Sequence, residues 1–301
     1  MSAISDLDLS GTSVGDESVE HIAIVGQNLR HLNLSRTKLS SAGLGTLAGF
    51  VPNLETLLLS YTAIDDSAIP FMSTMPLLKY INLSGTNIRG ISNEVDSDPN
   101  HVSSLSGLSS LDHLERLDLE ETRIKDSALA PLPSFRKLSY LFLRSGSLTD
   151  TTLHQLSSIR SLVNLGIRDG VLTDAGIYVF NPPPTMRILD LRGCWLMTED
   201  ALLSFQQKHP QIEVRHDLLS IALAKRLSVY SPLSQATPRA KLYNNKKGWP
   251  STSPLKSNTH SFLDQRLKYT STELLAMSSA SISRDIVDQI PHELRVTQND
   301  T

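Results

Sequence analysis

Cysteine occurs once in the 301 residues, at Cys194. One thiol excludes a disulfide framework and a cysteine-built metal site, and it suits a reducing compartment. No apolar run approaches the roughly 18 residues that a membrane-crossing helix needs, and no basic-then-apolar leader opens the chain. A soluble cytoplasmic protein is the expectation, with the nucleus as a second compartment. An excess of one charge is also missing. The 28 Lys and Arg against 31 Asp and Glu leave a net charge of -3 and a pI near 6.3. That disfavours nucleic acid as a partner. Catalytic signatures are absent: there is no His-Glu-x-x-His, no phosphate-binding Gly-Lys loop and no Gly-x-Ser-x-Gly. His21, His31, His101, His113, His154, His209, His216, His260 and His292 are scattered, and His216 reads as a surface residue. No enzyme activity, metal, cofactor, small-molecule substrate or membrane partner is therefore expected.

What is present is a repeat. The run LNLSRT, Leu32 to Thr37, recurs as Leu7-Asp8-Leu9 with Thr12, Leu57-Leu58-Leu59 with Thr62, Ile81-Asn82-Leu83 with Thr86, and Leu117-Asp118-Leu119 with Thr122. Leu141-Phe142-Leu143, Leu165-Gly166-Ile167 and Leu189-Asp190-Leu191 keep the apolar pair without the Thr. Ile212-Glu213-Val214 reads as a ninth, worn copy. Successive offsets are 25, 25, 24, 36, 24, 24, 24 and 23 residues, the 36 being 24 plus an insertion of 12. A fixed period of this size marks a solenoid. The alternation predicts strands with two inward side chains, and a second apolar segment predicts a short helix or helical turn opposite each strand. Asp-Ser-Ala-Leu at 126–129 and Asp-Ala-Gly-Ile at 174–177 read as capped, tightly packed helix starts.

The array is expected over residues 1–219, with about nine strands. An acidic loop, SNEVDSDPNHVS, interrupts it near 92–103. Residues 220–230 read as a C-terminal capping helix. Residues 231–262, rich in Ser, Thr, Pro, Asn and Lys, read as a disordered linker, and 263–301 as a tail with short interaction helices. No N-terminal cap is visible, so the chain is read as a truncated gene model, an isoform or part of a larger protein.

The repeated pattern resembles the leucine-rich repeat family, in its ribonuclease-inhibitor-like and F-box-associated branch. The resemblance implies an α/β solenoid, curved, with a parallel concave sheet, short convex helices and protein binding on the concave side. Its F-box branch implies a substrate-recognition subunit of a cullin-type ubiquitin ligase, although F-box helices are absent here. The family's usual Asn after the strand is Thr12, Thr37, Thr62, Thr86 and Thr122, whose hydroxyls are expected to bond the turn backbone between repeats.

Strand alternation sorts the outward residues into columns. The middle one runs Asp8, Asn33, Leu58, Asn82, Asp118, Phe142, Gly166, Asp190 and Glu213. The next runs Ser10, Ser35, Ser60 and Ser84, then Glu120, then Arg144, Arg168, Arg192 and Arg215. The third runs Gly11, Arg36, Tyr61, Gly85, Glu121, Ser145, Asp169, Gly193 and His216. The arginines are read either as a ladder offset by Asp169, Asp190 and Glu213, or as a surface for an acidic or phosphorylated peptide. Asp118, Glu120 and Glu121 form a separate acidic patch, and Leu58, Tyr61, Tyr80 and Phe142 are candidate apolar anchors.

In the tail, Thr270 and Glu273 fit a capping box, and Tyr269 with Leu274 fits a hydrophobic staple. Tyr269, Leu274 and Leu275 also match the Tyr, four residues, Leu, hydrophobe pattern of proteins that bind the cap-binding translation initiation factor 4E. The resemblance gives those three residues the contacts with that factor. It likens the architecture to plant leucine-rich-repeat proteins that combine such repeats with translation regulation.

Overall fold

The structure, a computed structural model, describes residues 4–91 and 103–220. The chain divides into two units, Met1–Val229 and Tyr230–Thr301, and the second lies outside the described residues. So do the insertion at 92–102, all but the start of the capping helix expected over 220–230, the linker, and the tail with Tyr269, Leu274 and Leu275. Among the described residues no helix is long and apolar enough to cross a membrane.

Among the described residues nine short strands are β1 (Asp6–Asp8), β2 (His31–Asn33), β3 (Thr56–Leu58), β4 (Tyr80–Asn82), β5 (Arg116–Glu120), β6 (Tyr140–Arg144), β7 (Asn164–Arg168), β8 (Ile188–Asp190) and β9 (Glu213–Arg215). They form one parallel sheet in chain order. Parallel neighbours need a return connection. It is supplied by helices α1 (Val19–Gly26), α2 (Ser41–Ala48), α3 (Ile69–Met72), α4 (Asp150–Leu156), α5 (Asp174–Val179) and α6 (Glu199–Lys208), with 3-10 turns such as Ser104–Ser110 and Asp126–Leu129 between α3 and α4. This is the curved, leucine-rich-repeat-type solenoid that the family resemblance implies.

Register follows from burial. Leu32, Leu57, Ile81, Leu117, Leu141, Leu165 and Leu189 stand opposite one another across the sheet and are at most 1% exposed. A slip by one residue would turn all of them to solvent. Ile81 pairs directly with Leu117, so the insertion leaves the sheet register intact.

The return side is held by a ladder that runs between repeats. Asp16, Asp126, Asp150 and Asp174 each open a helical segment, yet each accepts from the backbone N–H and hydroxyl of a residue in the next repeat: Ser40, Thr149, Thr173 and Thr198. Those residues are themselves N-caps. The aspartate thus orients the cap of its neighbour as well as sitting at a favourable helix N-terminus. A Cβ at Gly43 or Gly176 would collide with the carboxylate of Asp16 or Asp150, which is why small residues follow the cap.

Three expectations are corrected. The Thr hydroxyls bond within their own repeat: Thr12, Thr37, Thr62, Thr86 and Thr122 each donate to the carbonyl three residues earlier, at 2.6–2.7 Å. Later in the array the bond between repeats comes from Cys194, whose thiol donates to the Ile167 carbonyl at 3.2 Å, and burial pushes that thiol up to about 12. The ninth strand is also displaced by two residues from the expected alignment, since Leu189 pairs with Val214 and Asp190 with Arg215. Ile212, Val214 and His216 are all buried, so the alternation there runs one step longer than elsewhere and a histidine fills the last inward slot. His216 is 1% exposed, not a surface residue; its Nε2 lies 2.9 Å from the Cys194 carbonyl and its Nδ1 accepts from the Leu218 N–H.

Candidate concave interaction face

With the register corrected, the arginine column holds Arg144, Arg168 and Arg192 and ends on Asp217, while Arg215 falls beside Asp190 in the middle column. Asp217 accepts from the Gly193 N–H at 2.8 Å and closes the ladder.

The third column is the turn after each strand, and its backbone is left-handed almost throughout. Gly11, Gly85 and Gly193 have φ of 69°, 67° and 80°. Arg36, Tyr61, Glu121 and Asp169 have φ of 55–57° without being glycine. A Cβ there costs on the order of 1 kcal/mol relative to glycine.

These four side chains make a continuous rail. The Arg36 guanidinium lies 4.3 Å from the centre of the Tyr61 ring. Tyr61 donates its hydroxyl to Glu121 at 2.8 Å, which together with burial raises the Tyr61 phenol above its ordinary range. Arg144 then bridges Glu121 at 2.9 Å and Asp169 at 2.5 Å. Tyr61 lies across Gly85 and Asp169 across Gly193; any side chain at those glycines would strike them.

A second rail crosses the sheet above it. Ser84 donates to Asp118 at 2.5 Å. Arg116 sits between two rings, 4.6 Å from the centre of Tyr80 and 4.9 Å from that of Phe142. Arg168 spans Glu120 at 2.9 Å and Asp190 at 2.7 Å, and Arg192 meets Asp190 at 2.6 Å. Burial alone would push the Asp190 carboxyl up; hydrogen bonds from Arg192 and Arg168 overcome it and hold it at about 2. At Glu120 burial prevails over Arg168, and the carboxyl lies above its usual range.

The structure therefore joins what the sequence separated. Asp118, Glu120 and Glu121 are not a separate acidic patch; Glu120 and Glu121 are counter-charges of Arg168 and Arg144. Each of Arg144, Arg168, Arg192 and Arg215 has a carboxylate partner, Glu213 serving Arg215 at 2.7 Å. Leu58, Tyr80 and Phe142 are half-buried, and Tyr61 is 42% exposed. Arg116 and Tyr140, the latter 40% exposed, went unremarked in the sequence. The signal was available, because both occupy the residue before the inward Leu, the column that contains Tyr80. Among the described residues no group of three or more His, Cys, Asp or Glu side chains is placed to hold a metal ion.

A family model described as Leucine Rich repeat matches residues 27–48. Acidic leucine-rich nuclear phosphoprotein 32 family member A of Drosophila melanogaster is 35% identical over 82 residues, 27% of this chain. The match spans 31% of that relative's length. Among solved structures, an internalin (InlF) of Listeria monocytogenes str. 4b F2365 aligns over 71% of this chain and 61% of its own, with 16% identity and a TM-score of 0.49. A TDR receptor aligns over 71% and 34% respectively, with 17% identity and a TM-score of 0.43. Internalin C2 of the same Listeria strain aligns over 67% and 91%, with 15% identity and a TM-score of 0.43.

Proposed function

We propose that this chain is a non-enzymatic protein-binding solenoid whose concave face receives a polypeptide partner. The observation that carries the reading is the left-handed column. Arg36, Tyr61, Glu121 and Asp169 keep side chains where glycine is cheaper, and those side chains form one ordered rail. Backbone strain retained around an exposed ring is a mark of a recognition surface. Tyr61, Tyr80 and Phe142 offer ring surface already held in place by Arg36, Glu121 and Arg116, so little side-chain freedom remains to be lost on binding, and Tyr140 adds an exposed ring. Affinity capture with the intact chain tests this: Tyr61→Gly combined with Phe142→Ala keeps the fold and loses the partner. Retention of the same partner by that variant contradicts it.

A finer reading concerns the tail. The run Tyr269, Leu274 and Leu275 supports docking to translation initiation factor 4E and a role in translation regulation in the cytoplasm. Calorimetry of the intact chain with that factor is expected to show binding that Tyr269→Ala with Leu274→Ala abolishes; unchanged affinity would sink this reading. The ubiquitin-ligase alternative rests on the repeat branch alone. It needs a longer product that carries F-box helices; it predicts a cullin and its adaptor in material captured with that product, and their absence counts against it.

A further inference from the structure

Arg144, Arg168, Arg192 and Arg215 are matched by carboxylates; a cluster of cations with no ion-pair partner among the described residues lies elsewhere. Arg89 follows β4, and Arg123 and Lys125 follow β5 one repeat later. All three are exposed, and none is in an ion pair among the described residues. They converge on one cavity of about 420 Å³, which Ile91, Ser103 and Ser127 also line. Two nearby aspartates are turned to other work, and the carboxylates of the acidic insertion, Glu94, Asp96 and Asp98, lie outside the described residues. Asp66 accepts from the N–H groups of Arg89 and Gly90 and from the Ser104 hydroxyl. Asp126 is taken by Thr149 and Thr152. Neither lines the cavity. Its wall is set by backbone, because Gly90 has a φ of 78° and a Cβ there would strike Ala128.

We infer that this cavity is a binding site for a phosphorylated side chain of a protein partner, distinct from the concave face. Two guanidiniums and an ammonium from adjacent repeats suit a phosphate, which accepts charge-assisted hydrogen bonds from the planar Arg fork. A single inorganic phosphate would leave most of such a volume to water, whereas a phosphoserine with its flanking residues fills it. Ile91, half-buried at the rim, gives those flanking residues an apolar contact. None of the described lining residues is aromatic, so a nucleotide base finds nothing to stack on. The inference stands or falls apart from the concave reading, since the two sites share no residue.

The test is fluorescence anisotropy on the intact chain with a labelled pool of phosphoserine peptides, degenerate at the flanking positions, and the same pool without phosphate. The phosphorylated pool is expected to bind saturably and the unphosphorylated pool not to. Arg123→Ala with Lys125→Ala should weaken binding about ten-fold or more, as loss of two charge-assisted contacts implies. Both residues are exposed, and a matching thermal melt confirms that the variant folds. Arg144→Ala with Arg192→Ala should leave the affinity unchanged. Equal binding of both pools, no binding of either, or a loss that follows Arg144 and Arg192 would overturn the inference. So would displacement by inorganic phosphate at equimolar concentration, which marks a bare anion site.

Discussion

Asp190 is the residue on which the second rail turns. Its side chain is 3% exposed and faces two guanidiniums, which is why its carboxyl lies at about 2 despite burial. A carboxyl whose folded value lies below its unfolded one stabilises the fold above the unfolded value, and that stability is lost as pH falls through the folded one. Asp190 thus contributes roughly 2 kcal/mol that disappears between about pH 4 and about pH 2. Glu120, raised by burial, acts in the opposite sense: it opposes folding once pH rises through its elevated value. Urea denaturation across that acid range should show Asp190→Asn less stable near neutral pH and lacking this part of the acid loss; parallel curves for variant and parent would contradict the assignment. Arg36 gives a second expectation at the same scale. Its φ is 57° and its exposed guanidinium lies over the Tyr61 ring. Arg36→Gly should therefore raise stability by about 1 kcal/mol while Arg36→Ala does not, as read from denaturation midpoints.

At the scale of elements, the aspartate ladder explains how short helices persist. α4 and α5 have seven and six residues, too few to stand alone in water. Each starts at a cap fixed by the preceding repeat, and the space for that carboxylate is left by a glycine in α2 and α5. Gly176→Ala is expected to cost on the order of 1–3 kcal/mol through this collision, and most of that penalty should vanish when Asp150→Ala is also present. Additive losses in a double-mutant cycle would show that the two are not in contention. Strands, period and the inward leucines were legible because burial imposes a strict alternation that eight copies repeat. The ladder was not, because Asp before a helix reads as a cap of its own helix until the neighbouring repeat is in place. The ninth register misled for a related reason: His216 is polar by type yet fills an apolar slot, so the pattern seemed to end at Val214. That slip put Arg215 fourth in a column that holds three arginines and Asp217. The left-handed column was equally hidden, since glycine marks only Gly11, Gly85 and Gly193 of it.

For the molecule as a whole, stacking makes each repeat depend on its neighbours, and the same stacking aligns side chains from successive repeats into rails. The concave rails are charge-matched and ring-bearing, whereas the cations at Arg89, Arg123 and Lys125 have no ion-pair partner among the described residues. The concave face is therefore suited to a partner read by shape and ring contact rather than by bulk charge. A photo-crosslinking amino acid placed in turn at Tyr61, at Phe142 and at Tyr178 tests this most directly. Tyr178 lies on α5, 54% exposed, away from the sheet. Crosslinks to one common polypeptide from Tyr61 and Phe142, and none from Tyr178, are the predicted result; a partner captured from Tyr178 but from neither concave position would contradict the account.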